Sequence, residues 1–349
     1  MKRFFCACGS PAFFGSTYCI ACSRPLGFDP GSLQLLSLEV SGGGRYRPAG
    51  DYPAGEFHQC KNRPDHDICN WLVPADSGAE YCVSCSLNEV IPALESGRNR
   101  LLWGRLENAK RRLIYTLLSL GLPLQFPDGK SMTFRFLEDK RTNPNVSESF
   151  VFTGHMGGTI TINVAEAEDS VRHAVREDMQ ERYRTLLGHF RHESAHFYFD
   201  PLVAAYPDIL SEFRGLFGDE REDYDSALKS YYDNHVAGSG WQGRYVSRYA
   251  SSHPWEDWAE TWAHYLHIRD TLETAVCWDM ASAPDTSRES NQWMDAWMDF
   301  SVVLNELNRS MGVDDAYPFV LSDIVIEKLI FVHRRVVPTP SVGAISAVH

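Results

Sequence analysis

The feature that most constrains this chain is the pentapeptide His192-Glu193-Ser194-Ala195-His196. On an α-helix, residues i and i+4 lie on one face about one turn apart, so two imidazoles at this spacing can reach one ion. Zn²⁺ accepts imidazole ligands in this arrangement, and a glutamate beside the first histidine can take a proton from water. The motif therefore predicts a helix that carries a zinc site.

Apolar residues surround this motif and indicate that its helix is buried. They are Leu186, Leu187, Phe190, Ala195, Phe197 and Phe199. Imidazoles and a carboxylate in such a helix cost several kcal/mol unless they are paired or bind a metal ion. The alternative is a surface helix with two incidental histidines, which the apolar pattern disfavours. We expect the helix to span 170–199 and to end at Asp200-Pro201, and Asp200 is a candidate for orienting a ligating histidine.

A third ligand is expected from the segment 249–266, where apolar residues recur with helical spacing. Ser252 is a suitable N-cap, and Pro254 suits the first turn of a helix. Glu256 and Glu260 lie one turn apart and can point to the same side. We favour Glu256 as the ligand and Glu260 as a partner that orients a ligating histidine, although either could be a solvated helix charge. Two histidines and one carboxylate leave a fourth zinc position open for water.

His253 and His264 belong to the same segment. Each could donate to an oxyanion or act as an additional ligand. An isolated histidine more often packs with its hydrogen bonds satisfied, and we favour that role for both.

Eight of the nine cysteines lie before residue 86, and they form two sets of four. The first set is Cys6, Cys8, Cys19 and Cys22, and the second is Cys60, Cys69, Cys82 and Cys85. Closely spaced thiolates on two short loops are typical of a tetrahedral structural zinc site. Disulfides are the alternative, but they need an oxidising compartment, and the N-terminus lacks the apolar stretch of a secretory signal. We therefore predict two structural zinc ions besides the catalytic one, and an ordinary buried thiol at Cys277.

The histidine motif and the segment 249–266 together resemble the gluzincin metallopeptidases, in particular the catalytic domain of anthrax lethal factor. In that pattern, a glutamate followed by two bulky residues, alanine and glutamate supplies the third zinc ligand. A tyrosine seven residues before that ligand acts on the reacting groups. Glu256 and Tyr249 occupy these two positions, and Asp257 stands where the pattern has a bulky apolar residue. The resemblance implies that Glu256 coordinates zinc and that Tyr249 donates to the developing oxyanion.

Nearly the whole chain is similar to an uncharacterised bacterial family of zinc-binding metallopeptidases with an N-terminal zinc-ribbon region. The segments 191–196 and 253–260 and the cysteine pattern carry this likeness. It implies an α+β fold, in which β-rich zinc ribbons precede a largely helical, zincin-like domain with a small mixed sheet. We assign the ribbon region to 1–95, the metallopeptidase domain to 96–337 and a disordered tail to 338–349.

Periodicity and turn residues predict further elements. Strands are expected at 33–40, 71–73, 132–137, 149–153 and 159–164, and helices at 99–120, 207–217, 222–232, 254–274, 290–310 and 319–332. In zincins an edge strand binds the substrate backbone, and 159–164 is the candidate for that strand. The alternative is that 159–164 is an internal strand.

Charge and hydropathy limit the partners. The net charge is −13, and nine basic and ten acidic residues in the first hundred leave the ribbon region nearly neutral. No basic stripe is present there, which disfavours nucleic acid. No apolar stretch approaches the length of a bilayer span, so we expect no membrane partner and a cytoplasmic protein. The ribbons either bind a protein partner or only cap the catalytic domain.

These observations predict a zinc-dependent peptidase that cleaves peptide or protein substrates. His192, His196 and Glu256 would hold the ion, and Glu193 would act as the general base. A catalytically silent zincin scaffold that binds proteins is the alternative. Hydrolysis of a non-peptide amide or of a modified peptide is a third hypothesis.

Overall fold

The computed structural model describes residues 1–50, 52, 55–95, 97–140, 143–172, 185–233 and 240–337. The chain has an α+β fold and divides into two compact units, residues 1–190 and 191–349. The predicted domain boundary near residue 95 stays a prediction. Among the helices of the described residues, none has both the length and the apolarity of a membrane span.

The N-terminal unit begins with a small hairpin and an antiparallel sheet of five strands in chain order. The hairpin consists of β1 (Phe4–Phe5) and β2 (Pro11–Ala12), and the sheet of β3 (Leu26–Asp29), β4 (Gln34–Gly42), β5 (Arg45–Pro48), β6 (Phe57–Gln59) and β7 (Leu72–Pro74). Gly43 and Gly44 have φ angles of 60° and 75°, the left-handed pair that a tight two-residue hairpin turn requires. Leu36, Leu38 and Leu72 form the apolar core of this sheet.

A second, mixed sheet follows in the order β10-β11-β9-β8. Its strands are β8 (Asn88–Val90), β9 (Thr133–Leu137), β10 (Gly154–Met156) and β11 (Thr159–Asn163). Strand β11 is parallel to β9 and antiparallel to β10. Alternate residues Ile160 and Ile162 are buried, which explains why the period-two pattern of this segment predicts a strand.

Two predictions about this sheet are wrong, the strand at 149–153 and the edge position of the strand at 159–164. Residues 149–153 form no strand; the strand lies instead at 154–156. Gly157 and Gly158, with φ angles of 59° and 98°, close a tight turn that folds 154–156 back onto β11. Because β10 pairs with its outer side, 159–163 is an internal strand, and β10 and β8 are the edges.

Seven helices of seven residues or more occur in the described residues. They are α1 (Gly97–Ser119), α2 (Leu186–Phe199), α3 (Pro207–Phe217), α4 (Tyr224–Asp233), α5 (Pro254–Cys277), α6 (Gln292–Ser310) and α7 (Asp323–Val336). The predicted helices other than that at 170–199 are confirmed with end shifts of a few residues. Most of the predicted N-terminal extension of α2, at 173–184, and the predicted tail at 338–349 lie outside the described residues.

Helix α5 is the central element of the C-terminal unit. Its Trp258, Trp262 and Tyr265 side chains are fully buried. Trp258 packs edge-on against Phe213 of α3 and against Phe331 of α7, with ring centroids 6.4 and 6.3 Å apart. Large aromatic side chains on three helices therefore form a rigid base for the first turn of α5.

Candidate metal centre

Helix α2 carries both histidines of the motif. The His192 and His196 rings lie 5.3 Å apart and are inclined at 74°. Both are partly buried, and neighbouring Ala195 and Phe197 are fully buried, as the apolar pattern predicts. The α-helix ends at Phe199, and a π-helical turn over Asp200–Ala204 follows. Pro201 cannot donate a backbone hydrogen bond to continue the α-helix, which explains the change at this position.

Helix α5 brings the acidic residues to α2. Its N-cap is His253, not Ser252 as predicted, because the His253 Nδ1 atom accepts the Trp255 N–H at 3.1 Å. Pro254 takes the first helical position as expected. The indole N–H groups of Trp258 and Trp262 then donate to Ala195 O at 2.9 Å and to Ser194 Oγ. These two buried hydrogen bonds fix α5 against the helix that carries the histidines.

Three side chains from these two helices converge on one point. Glu256 Oε2 lies 3.0 Å from His192 Nε2, and Glu256 Oε1 lies 3.9 Å from His196 Nε2. The donor atoms of His192, His196 and Glu256 all lie within 4.8 Å of one another. Donors at about 2.0–2.1 Å from a tetrahedral zinc ion are about 3.3–3.4 Å apart, so the observed spacings fit such an ion.

The polar atoms of Glu256 also fit a cation. The side chain is 2% exposed, and its Oε2 atom lies 3.0 Å from His192 Nε2. Burial raises the pKa of Glu256, but the hydrogen bond and charge of His192 outweigh it and bring the pKa to about 2. A buried, ionised carboxylate is costly unless a positive charge is adjacent. A zinc ion would supply that charge.

The other nitrogen of His192 faces a second carboxylate. Glu260 Oε1 lies 2.7 Å from His192 Nδ1. Burial lowers the pKa of His192, but the carboxylates of Glu256 and Glu260 outweigh it and hold the pKa well above its usual value. A carboxylate at Nδ1 fixes the orientation of the ring and directs Nε2 toward Glu256. Glu260 thus has the position expected of a residue that orients a metal-binding histidine.

Glu193 and Tyr249 border this cluster. Glu193 is buried at 9% exposure in α2, next to His192. Tyr249 lies in a 3₁₀ turn before α5, with its ring 5.9 Å from that of His192. Burial raises the pKa of Tyr249 well above its usual value, and the charge of Glu256 and, to a smaller extent, that of Glu193 raise it further. The phenol therefore keeps its proton and can donate a hydrogen bond.

Sequence reasoning missed one residue at this centre. The Tyr224 hydroxyl donates to Glu256 Oε1 at 2.7 Å from the first position of α4. Tyr224 lies 32 residues before Glu256, and no spacing rule links two residues on separate helices. An aromatic residue at a helix start gives no signal of such a contact in a single sequence.

Other predicted residues lie apart from the convergence point. Asp200 is exposed at the start of the π-helical turn, and its role stays a prediction. His264 is buried and its Nδ1 lies 2.8 Å from the Tyr317 hydroxyl, whereas His253 caps α5. Both histidines therefore pack with hydrogen-bonded rings, as we favoured. Asp257 is buried and pairs with Lys328 at 2.5 Å, so a charged residue replaces the apolar one of the lethal-factor pattern.

The cysteines form the two predicted clusters in the N-terminal unit. In each set of four, the sulfur atoms lie within 4.8 Å of one another. The contacts Cys6–Cys22 and Cys8–Cys19 are 3.6 Å, and Cys69–Cys82 is 3.8 Å. Sulfurs at about 2.3 Å from a tetrahedral zinc ion are about 3.8 Å apart, whereas a disulfide needs about 2.05 Å. The spacing fits zinc, and it does not fit disulfides.

Hydrogen bonds to sulfur support a thiolate state in both clusters. The Ser37 hydroxyl donates to Cys6 Sγ at 3.4 Å. In the second cluster, the Cys82 and Trp71 backbone N–H groups donate to sulfur at 3.4 and 3.5 Å. Donors directed at a buried sulfur stabilise negative charge there. Cys277 belongs to neither cluster; it is half-buried rather than buried, because it occupies the last position of α5.

The chain thus combines a histidine–glutamate cluster on two helices with two four-cysteine clusters in an α+β fold, and all three clusters could hold a metal ion. The chain belongs to the family described as "Putative zinc-binding metallo-peptidase", whose model matches residues 99–335. Residues 3–96 match the model of a zinc-ribbon domain.

Curated relatives match over nearly the full length. Two of them are uncharacterized proteins, one from Mycobacterium tuberculosis and one from Mycobacterium bovis. Each is 42% identical to this chain over 351 residues, covering 96% of this chain and 95% of the relative. No solved structure gives a significant match.

Proposed function

We propose that this protein is a zinc metallopeptidase of the gluzincin type that hydrolyses amide bonds in peptides or proteins. The observation that carries the proposal is the convergence of His192, His196 and Glu256 beside Glu193. His192, His196 and Glu256 would hold the ion. Zinc, when bound, supplies a Lewis acid that polarises a carbonyl and makes water more acidic.

Glu193 has the role of general base in this proposal. Its carboxylate follows a proposed ligand directly in α2 and accepts a proton from water, then passes that proton to the leaving amine. Tyr249 donates its phenolic proton as a hydrogen bond to the oxyanion that develops on the substrate. Glu260 keeps the His192 ring in place through Nδ1 during these steps.

The composition of the cluster favours an enzyme over a silent scaffold. In the part of the chain that the structure describes, the group that could hold this metal has three members, not four. Structural zinc sites are closed by four protein ligands, whereas catalytic sites keep one position open. A scaffold that only binds proteins also has no use for Glu193 beside an incomplete ligand set.

The two cysteine clusters extend the proposal to three zinc ions for each chain, one catalytic and two structural. Their free thiols at metal-binding distances support a reducing compartment, the cytoplasm. We further propose that the ribbon region binds a protein partner. Its near-neutral charge supports this choice over nucleic acid.

The test is cleavage of a peptide library by the zinc-loaded chain, with Glu193→Gln as the variant. We expect metal-dependent cleavage by the wild type and a loss of at least about a hundredfold in Glu193→Gln, since removing a general base typically costs 10²–10⁴-fold. Glu327→Gln, at an exposed position of α7, is the matched control and should cleave normally. Equal cleavage by Glu193→Gln would disprove the mechanism.

A further inference from the structure

The Glu256 carboxylate has two oxygen atoms in different surroundings. Oε1 accepts the Tyr224 hydroxyl at 2.7 Å, whereas Oε2 lies 3.0 Å from His192 Nε2, which is one of the proposed ligand atoms. A carboxylate with one oxygen held by a neutral donor presents its other oxygen to a metal ion. The asymmetry originates in Tyr224, which belongs to neither of the helices that carry the three proposed ligands.

Tyr224 itself is held in place by the N-cap of α5. Its ring packs edge-on against His253, with centroids 5.2 Å apart and planes at 72°. His253 Nδ1 accepts from Trp255 N, so its Nε2 carries the proton and donates to Glu222 O at 3.1 Å. The residue that caps the helix of Glu256 therefore also anchors the turn that precedes Tyr224. One histidine thus sets the position of the phenol relative to the carboxylate.

The phenol is an uncharged donor at neutral pH, because an ordinary tyrosine loses its proton only near a pH of about 10. A neutral hydroxyl stabilises the ionised carboxylate without competing with zinc for its negative charge. A lysine or arginine at this position would neutralise the ligand and weaken its bond to the metal.

We infer that Tyr224 is a positioning residue for the metal centre: it holds Glu256 Oε1, so that Glu256 binds zinc through Oε2 alone. This inference rests on the proposed zinc site, and it adds a residue to the set of groups that determine the affinity of that site. His253 acts one step further away, because it positions Tyr224.

The experiment is a zinc competition titration of the full chain against a chromophoric chelator. Tyr224→Phe removes the hydroxyl and keeps the ring, and Tyr206→Phe, at a tyrosine that is 53% exposed, is the matched control. The His196→Ala variant, which leaves both cysteine clusters intact, identifies the zinc equivalent that belongs to this centre. We expect Tyr224→Phe to lower the affinity for that zinc ion by about ten- to a hundredfold, with the affinity of the cysteine clusters for zinc unchanged.

A second variant tests the anchor. His253→Asn retains a good N-cap for α5 but is too short to reach both Trp255 N and Glu222 O. It should weaken zinc binding, but less than Tyr224→Phe does. Thermal unfolding with and without zinc separates positioning from a general structural role. A structural role lowers the unfolding midpoint equally in both states, whereas positioning also reduces the rise in midpoint that zinc causes.

The outcomes are distinguishable. If the wild type and His196→Ala bind the same number of zinc ions, the proposed centre itself is wrong. If the wild type binds the additional ion and the affinity of Tyr224→Phe for it differs less than twofold from that of the wild type, the inference about Tyr224 is wrong. The inference also fails if Tyr224→Phe lowers the unfolding midpoint equally with and without zinc.

Discussion

The ion pair of Asp257 and Lys328 gives the sharpest stability prediction. Asp257 follows the proposed ligand Glu256, and its side chain and that of Lys328 are 0% and 2% exposed. The ammonium also donates to Arg244 O at 2.7 Å and lies 4.5 Å from the Tyr245 ring. Asp257 has no comparable support, because its Oδ1 atom is buried without a hydrogen-bond partner. Removing the lysine therefore leaves the more poorly compensated charge.

Lys328→Met should lower the free energy of unfolding by about 3–5 kcal/mol, the usual cost of leaving a buried charge unpaired. Asp257→Leu should cost less, because Arg244 O and the aromatic rings still stabilise the ammonium. The double variant Asp257→Leu/Lys328→Met should recover most of the loss, since an apolar pair of similar volume replaces a buried ion pair at little cost. The resulting double-mutant cycle measures the coupling directly.

The assay is urea denaturation of the zinc-loaded chain, followed by tryptophan fluorescence. Four tryptophans, Trp258, Trp262, Trp293 and Trp297, are fully buried in the same unit and report its unfolding. Lys229→Met, at an exposed position of α4, is the control and should change stability by no more than about 0.5 kcal/mol. A loss below about 1 kcal/mol in Lys328→Met, or a double variant as unstable as the sum of the singles, would refute this reasoning.

Two further predictions concern the metal sites. Glu260→Gln removes the carboxylate at His192 Nδ1 and should lower the zinc affinity of the proposed catalytic centre by about ten- to a hundredfold. A chelator titration measures this affinity, and Glu327→Gln, the control, should leave it unchanged. Equal affinities of Glu260→Gln and the wild type would argue against the orienting role. Cys60→Ser should release one zinc ion by elemental analysis and unfold part of the ribbon region by circular dichroism, because all four cysteines of its cluster are buried. Cys277→Ser is its control, and loss of zinc from that variant instead would contradict the assignment.

Local patterns were sufficient to predict much of the fold. A proline marks the start of α3 and of α5 in the sequence, and both predicted starts agree with the structure. Strand β10 could not be predicted, because Gly154-His155-Met156 has low β-propensity. It forms because the Gly157-Gly158 turn pairs it with β11, a tertiary effect that outweighs propensity.

The candidate site could also be predicted only in part from local patterns. His192 and His196 share one helix, so their spacing alone predicts that they converge. Glu256 was favoured because of a pattern, whereas the choice between it and Glu260 depends on how two helices pack. Tyr224 contacts Glu256 across 32 residues, and Lys328 contacts Asp257 across 71, so neither partner is visible from local spacing. Predicting such contacts needs the tertiary arrangement.

We propose that His192, His196 and Glu256 bind one zinc ion in addition to those of the cysteine clusters. Elemental analysis of zinc per chain, after dialysis against a weak chelator, tests it most directly. We predict three zinc ions for the wild type and two for a His192→Ala/His196→Ala variant, with the ribbon zinc retained. Equal zinc contents in the two proteins would contradict it.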